Sequence, residues 1–129
     1  MVCALNNRAC IKMEENRFKN IGEPTESALI VLAEKLGKYQ KHNVNHTEQP
    51  MGYCDWYTKN YAKVATLDFS SERKTMSTVV KGGPNQNWVL LKGAPERVIE
   101  RCNGYMKASG DAEKFKNKDQ KEQLLSQIR

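Results

Sequence analysis

Long apolar runs are missing from this chain of 129 residues: the longest, Ala28 to Ala33, has six, where a membrane-spanning helix needs about 18 or more. The opening Met1-Val2-Cys3-Ala4-Leu5 lacks a basic start followed by an apolar stretch, so no secretory leader is expected. Cysteine is sparse and scattered. Cys3, Cys10, Cys54 and Cys102 form no C-x-x-C pair, which argues against a zinc knuckle or a redox pair and predicts four reduced thiols. Histidine is scarcer still, with two. His42 and His46 sit four apart, but Asn43-Val44-Asn45 between them is weakly helical and no third ligand is nearby, so solvated loop histidines are expected. Asn45-His46-Thr47 matches a glycosylation acceptor, and with no leader expected the match is expected to be accidental.

The common nucleotide and catalytic signatures are also missing. Neither G-x-x-x-x-G-K-[ST] nor G-x-G-x-x-G occurs, and Lys81-Gly82-Gly83-Pro84 does not approximate the former. No Ser/His/acid set, Cys/His nucleophile or carboxylate cluster suited to acid–base work is evident. If a nucleotide binds, this chain is expected to hold it rather than cleave it, and no catalytic or metal residue is assigned.

What is present is a globular composition, 39% hydrophobic and 28% charged, with a mean hydropathy of -0.75. This predicts one domain over residues 1–129 with a wet surface. The net charge of +6 is unevenly spread: residues 51–110 carry nine Lys/Arg against five Asp/Glu, whereas 1–50 carry seven against six. The basic residues are single rather than in runs, so the expected partner is a small polyanion and not a nucleic acid.

Ala28, Leu29, Leu32, Ala33 and Leu36 recur at helical spacing, with Glu23 as N-cap, Pro24 in the first turn and Gly37 as the stop, predicting a helix over 22–37. A short helix is expected over 3–10, followed by a polar link from Glu14 to Asn20. Residues 38–62 read as a long surface excursion pinned by Tyr53, Trp56 and Tyr57. The period then changes to two, predicting strands at Val64–Phe69, Thr75–Lys81 and Asn87–Lys92 in an antiparallel meander. A helix is expected from Pro95 to Cys102, with Val98, Ile99 and Cys102 on one face and Asn103-Gly104 ending it. Residues 104–116 read as loop, and Asn117 as the cap of a final helix with Leu124, Leu125 and Ile128 inward. That helix has no element to close on, which suggests a piece of something longer. The fold class is α+β, a mainly antiparallel sheet flanked by helices.

Loop lengths suggest a register. A four-residue loop at Ser70–Arg73 pairs Phe69 with Lys74 and Leu67 with Met76. A five-residue loop at Gly82–Gln86 pairs Val80 with Trp88, Thr78 with Leu90 and Met76 with Lys92. Residues directly opposite share a face, so Leu67, Phe69, Lys74, Met76, Thr78, Leu90 and Lys92 are expected together. An aromatic ring and a methionine beside two lysines suit a flat, anionic ligand. The bland alternative is a core Phe and Met with lysines guarding an edge.

Lys92-Gly93-Ala94-Pro95-Glu96, with Val98-Ile99 and Arg101-Cys102 after it, resembles the KGAPE signature of the nucleotide-binding domain of P-type cation-transporting ATPases. Phe69-Ser70-Ser71-Glu72-Arg73-Lys74-Thr75-Met76-Ser77 resembles the family's F-[SD]-x-x-[RK]-K-[ST]-M-S segment, and Gly22-Glu23-Pro24-Thr25-Glu26-Ser27-Ala28-Leu29 its G-[ED]-x-[TS]-E-x-A-L helix start. The blocks occur in the family's order. The R-K-T-M-S run, and Cys54-Asp55-Trp56-Tyr57 followed by Val64-Ala65-Thr66-Leu67, look most like calcium pumps of the sarco/endoplasmic-reticulum type.

The resemblance implies an ATP site in which Phe69 stacks on adenine, Glu26 reaches the adenine edge with Thr25 beside it, and Met76 packs near the base. Lys92 would line the adenine pocket, backed by Gly93 and Ala94, and Lys74 would reach the phosphates. It further implies Mg-ATP as the nucleotide, with the metal held mainly on an absent phosphorylation domain. The implied partners are that domain, an actuator domain and a transmembrane ion-binding domain, on the cytoplasmic side of an intracellular membrane. The fragment itself is expected to be soluble and monomeric. Two departures stand out. Ser71 occupies a position where animal reticulum pumps commonly carry a phosphate-contacting arginine, so that contact is expected either to be lost or to be taken by Arg73. The family also places a phosphate-reaching arginine in a strand after the last helix, before which this sequence ends, and the D-K-T-G-T phosphorylation motif is not in it either. Alternatives are the corresponding domain of a sodium or proton pump, or a basic module for RNA or acidic partners.

Overall fold

The computed structural model describes residues 1–37 and 44–128. Its elements are α1 (Val2–Leu5), β1 (Cys10–Glu14), β2 (Arg17–Ile21), α2 (Pro24–Gly37), α3 (Gly52–Asn60), β3 (Lys63–Leu67), β4 (Thr75–Gly83), β5 (Gln86–Gly93), α4 (Pro95–Arg101), β6 (Gly104–Met106), β7 (Ala112–Lys114) and α5 (Lys118–Ile128). The strands form antiparallel sheets, β1-β2, β3-β4-β5 and β6-β7, so the α+β class holds. No described helix is long and apolar enough to cross a membrane. The residues fall into two compact units: Met1–Leu67 with Ser77–Leu91, and Asp68–Met76 with Lys92–Arg129.

In the first unit, two apolar clusters form the core: Ala4, Ala9, Ile30, Ala33 and Cys54 in one, Leu5, Val80 and Leu90 in the other. Two consecutive asparagines tie α1 to its neighbours. Asn6 is fully buried; its Nδ2 donates to the Leu90 carbonyl (3.2 Å) and its Oδ1 accepts from Thr78 Oγ1 (3.0 Å). Asn7 Nδ2 donates to the carbonyls of Cys3 (3.1 Å) and Glu26 (2.8 Å). With α1 only four residues long, these bonds hold it where propensity could not. The helix expected over 3–10 therefore stops early, because Cys10 already belongs to β1.

The Glu14–Asn20 link is instead part of a hairpin. Glu15 and Asn16 both adopt positive φ (47° and 59°), the mirror-image turn whose twist suits two antiparallel strands. Every residue of β2 is exposed, so no alternation marks it in the sequence. The helix over 22–37 is present as α2, but its buried stripe differs from the expected one. Ser27, Ile30, Ala33, Glu34 and Gly37 face inward, whereas Leu32 and Leu36 are 46% and 61% exposed. The inward side is chosen by what Glu34 bonds and by Gly37, where a Cβ would collide with the Tyr53 ring. Part of the expected surface excursion is α3; residues 38–43, including His42, lie outside the described residues. Of the three aromatics expected to pin this stretch, Tyr53 is buried, Tyr57 stacks at 5.9 Å on Tyr61, which meets Trp88 at 5.8 Å, and Trp56 stays 38% exposed, edge-on to Tyr57 at 5.1 Å.

The β3–β4 register departs from expectation by one residue. Leu67 pairs with Ser77 and Thr66 with Thr78, whose hydroxyls lie 3.4 Å apart. Leu67 is thus removed from the face of Met76, and Phe69 lies beyond the end of β3. The cause is in the connection: Lys74 takes φ = 51° and its N–H closes on the Ser70 carbonyl at 2.7 Å. That left-handed residue lengthens the turn past the assumed Ser70–Arg73 loop, and a one-residue slip reverses the faces.

In the second unit, α4 and α5 flank the β6–β7 hairpin, which replaces the loop expected over 104–116. Tyr105 and Phe115 pack at 5.5 Å, and Lys121 Nζ lies 5.3 Å over the Phe115 ring. The three-residue strands were too short to show a period. Asn117 caps α5 as expected, its Oδ1 accepting the Gln120 N–H at 3.0 Å. Leu124 and Leu125 are half-buried, but Ile128 is 50% exposed rather than inward. Val98, Ile99 and Cys102 are half-buried along α4.

Candidate functional site

Six of the eight residues singled out from the sequence fall in the second unit: Phe69, Lys74, Met76, Lys92, Gly93 and Ala94. Phe69 stands on the 68–75 turn, 60% exposed. An aromatic ring left in water on a well-bonded turn is a ready stacking surface. Ser70 braces the turn, its Oγ accepting the Arg73 N–H (3.2 Å) and its carbonyl accepting the Lys74 N–H (2.7 Å). Arg73 adds a clamp, its Nη2 donating to the carbonyls of Asp68 and Thr75.

The Lys-Gly-Ala segment closes against the same turn. The Ala94 N–H donates to the Lys74 carbonyl at 2.9 Å, in keeping with the register that sets Met76 against Lys92. Glycine is required at position 93 because a Cβ there would collide with the Lys74 carbonyl oxygen and the Thr75 backbone. Ala94 then begins α4, with Pro95 in its first turn. Lys74 is exposed and Lys92 half-buried. Met76 is only 4% exposed, so its side chain belongs to the packing beneath this edge more than to an open surface.

Thr25 and Glu26 belong to the first unit. Thr25 is exposed at the start of α2. The Glu26 carbonyl accepts from Asn7 Nδ2 at 2.8 Å, and its carboxylate accepts the Arg8 N–H at 3.4 Å, so backbone contacts on two sides fix the first turn of α2. A groove of about 680 Å³ in the same unit is lined by Ile11, Phe18, Pro24 and Val31 among others, and by none of the eight. Among the described residues, no three His, Cys, Asp or Glu side chains group to hold a metal.

Sequence reasoning missed a second polar centre, Glu34. No side chain at the cap residue Met51 serves α3. Glu34 of α2 does so instead, its Oε2 accepting the Tyr53 N–H (3.1 Å) and its Oε1 the Cys54 N–H (2.7 Å). His46 Nε2 donates to the same carboxylate at 2.9 Å with its side chain 33% exposed, so it is a partner of α2 and not a free loop histidine. No sequence spacing links residues on separate elements in this way. Burial, followed by the hydrogen bond and charge of Glu34, pushes the Cys54 thiol far above the usual thiol range. A helix start ordinarily lowers a thiol's pKa; here Glu34 already occupies the free N–H groups. The hydrogen bond shared with the Tyr53 hydroxyl, then burial, pushes Tyr57 up to about 12. All four cysteines are free, and Cys54, 1% exposed, should be alkylated by iodoacetamide at pH 8 at least about 100-fold more slowly than Cys3, Cys10 or Cys102. Mass spectrometry of a time course checks this.

A family profile described as the P-type ATPase cytoplasmic domain N matches residues 1–129. The chain is 38% identical over 120 residues to an endoplasmic reticulum-type calcium-transporting ATPase, number 2, of Arabidopsis thaliana, covering 84% of this chain and 11% of that protein. It is 33% identical over 101 residues to number 4 of the same plant, covering 78% and 10%. With the endoplasmic reticulum calcium ATPase srcA of Aspergillus fumigatus it shares 36% over 110 residues, covering 79% and 11%. The chain thus spans about a tenth of the length of these relatives.

Proposed function

Given that the chain belongs to the family of the P-type ATPase cytoplasmic domain N, we propose that it binds ATP at the edge formed by the 68–75 turn and the Lys92-Gly93-Ala94 segment. The observation that carries this reading is the exposed Phe69 ring on a turn bonded directly to that segment through the Ala94 N–H and the Lys74 carbonyl. In this reading the ring stacks on adenine, and the ammonium groups of Lys74 and Lys92 draw the phosphates by charge. Glu26 and Thr25 take the adenine edge, an assignment that rests on the family motif alone. Mg²⁺ comes with the nucleotide and supplies charge neutralisation there.

The chain's own part is positioning: it holds the nucleotide so that the γ-phosphate is presented to an aspartate on another domain of a longer pump. The relatives' names favour a calcium-transporting parent of the endoplasmic reticulum; the partners in this reading, phosphorylation, actuator and membrane domains, rest on the family resemblance alone. One stacking surface and two lysines support a dissociation constant of about 0.1–1 mM for the isolated chain, near -5 kcal/mol.

The test is an amide-shift titration of this chain with ATP, GTP and inorganic triphosphate. Saturable shifts near Phe69, Lys74 and Lys92, larger for ATP than for triphosphate, are expected. Diffuse shifts reproduced by bare triphosphate would mean a basic surface and would remove the adenine site.

A further inference from the structure

We propose that Arg73 is a positioning residue for this nucleotide edge and not a phosphate ligand. The proposal rests on the ATP reading above. Asp68 immediately precedes Phe69, and Thr75 immediately follows Lys74. The Arg73 Nη2 donates to the carbonyls of both, so one planar group ties together the two ends of the segment that carries the ring and the lysine. Its own N–H is tied to Ser70 Oγ at 3.2 Å.

Lys74 between them holds φ = 51°, a conformation that residues other than glycine keep only where the surroundings impose it. Three bonds impose it here: Lys74 N–H to the Ser70 carbonyl, Ala94 N–H to the Lys74 carbonyl, and the guanidinium on Thr75. A guanidinium serves because its donors are fixed in a plane; an ammonium is a rotating point charge without that geometry. Arg73 faces the turn's own backbone, so the contact that Ser71 cannot make is not transferred to it. Arg73 acts on the nucleotide through the position of Phe69.

Dissociation constants of adenosine, ATP and inorganic triphosphate, measured by amide shifts on the full chain for wild type, Arg73→Met and Arg73→Lys, test this. Arg73→Met should weaken adenosine and ATP by the same factor, about fivefold, while triphosphate changes by less than about twofold. Arg73→Lys should resemble Arg73→Met, since charge without the fork does not latch the turn. A phosphate ligand would give the opposite pattern, with adenosine unchanged, ATP and triphosphate weakened, and lysine restoring both; that result overturns the proposal. A lower melting temperature with unchanged adenosine affinity, measured well below the transition, makes Arg73 merely structural and also overturns it. Should Arg73→Met fail to fold, Ser70→Ala disturbs the same turn more gently. It should weaken adenosine and ATP equally by about twofold, and an unchanged adenosine affinity there counts against the proposal. If wild type shows no saturable adenosine shifts near Phe69, the ATP reading itself has failed, and Arg73 has no base-binding surface to position.

Discussion

Phe69→Ala should weaken ATP binding by about tenfold or more while leaving the melting temperature within about 1 °C. Stacking a base on an aromatic ring is worth roughly 1–3 kcal/mol by alanine substitution, a large share of a total near -5 kcal/mol. Lys74 contributes less, because an exposed ammonium in high dielectric at physiological salt gives well under about 1 kcal/mol and is screened within about 8 Å. The ring therefore dominates, and its loss should show at all salt concentrations, whereas Lys74→Ala should matter mainly at low salt. Stability is spared because the ring is 60% exposed and little apolar burial is lost with it. Phe69→Trp should retain binding. Titration of the variants with ATP at 50 and 300 mM salt checks each statement, and an ATP affinity unchanged in Phe69→Ala would remove the stacking role.

The parts of the fold legible in the sequence were those whose signal is local. The helix over 22–37, the three strands between Lys63 and Gly93 and the Asn117 cap each followed from period, Pro/Gly punctuation or a capping residue within a few positions. The ordered motifs identified the candidate edge, and the Lys74–Ala94 bond joins two of them. What was not legible depends on residues far apart or on backbone choices that composition does not signal. The β3–β4 register turned on one left-handed lysine, and the β1–β2 hairpin on a Glu15-Asn16 turn with no glycine. The inward face of α2 turned on Glu34, a carboxylate on a stripe that hydropathy assigns to solvent. Leu32 and Leu36 had the better apolar spacing, yet Glu34 is buried because it carries bonds that only the folded chain supplies.

That role makes Glu34→Ala the substitution with the largest expected effect on stability, about 3 kcal/mol. The variant leaves the Tyr53 and Cys54 N–H groups at the start of α3 without their acceptor in a site where the Glu34 side chain is 8% exposed, and each orphaned buried donor costs about 1–3 kcal/mol. It also removes a negative charge from the positive end of a helix. Against a total stability of about 5–15 kcal/mol, the melting temperature should fall by roughly 10 °C. Glu34→Gln keeps one acceptor oxygen and should lose about half as much. His46→Ala should cost less than about 1 kcal/mol, since its ring is partly in water and the backbone donors keep their carboxylate. The same variants report on the neighbouring thiol. After burial, Glu34 is the main cause holding Cys54 in the protonated form, so Glu34→Gln should lower the thiol pKa and speed its alkylation at pH 8 while the helix remains folded. Calorimetry and an alkylation time course together decide the matter. Equal losses in Glu34→Ala and His46→Ala would make the contact an ion pair and nothing more, and a large loss in Glu34→Ala alone identifies the carboxylate as the cap on which α3 depends.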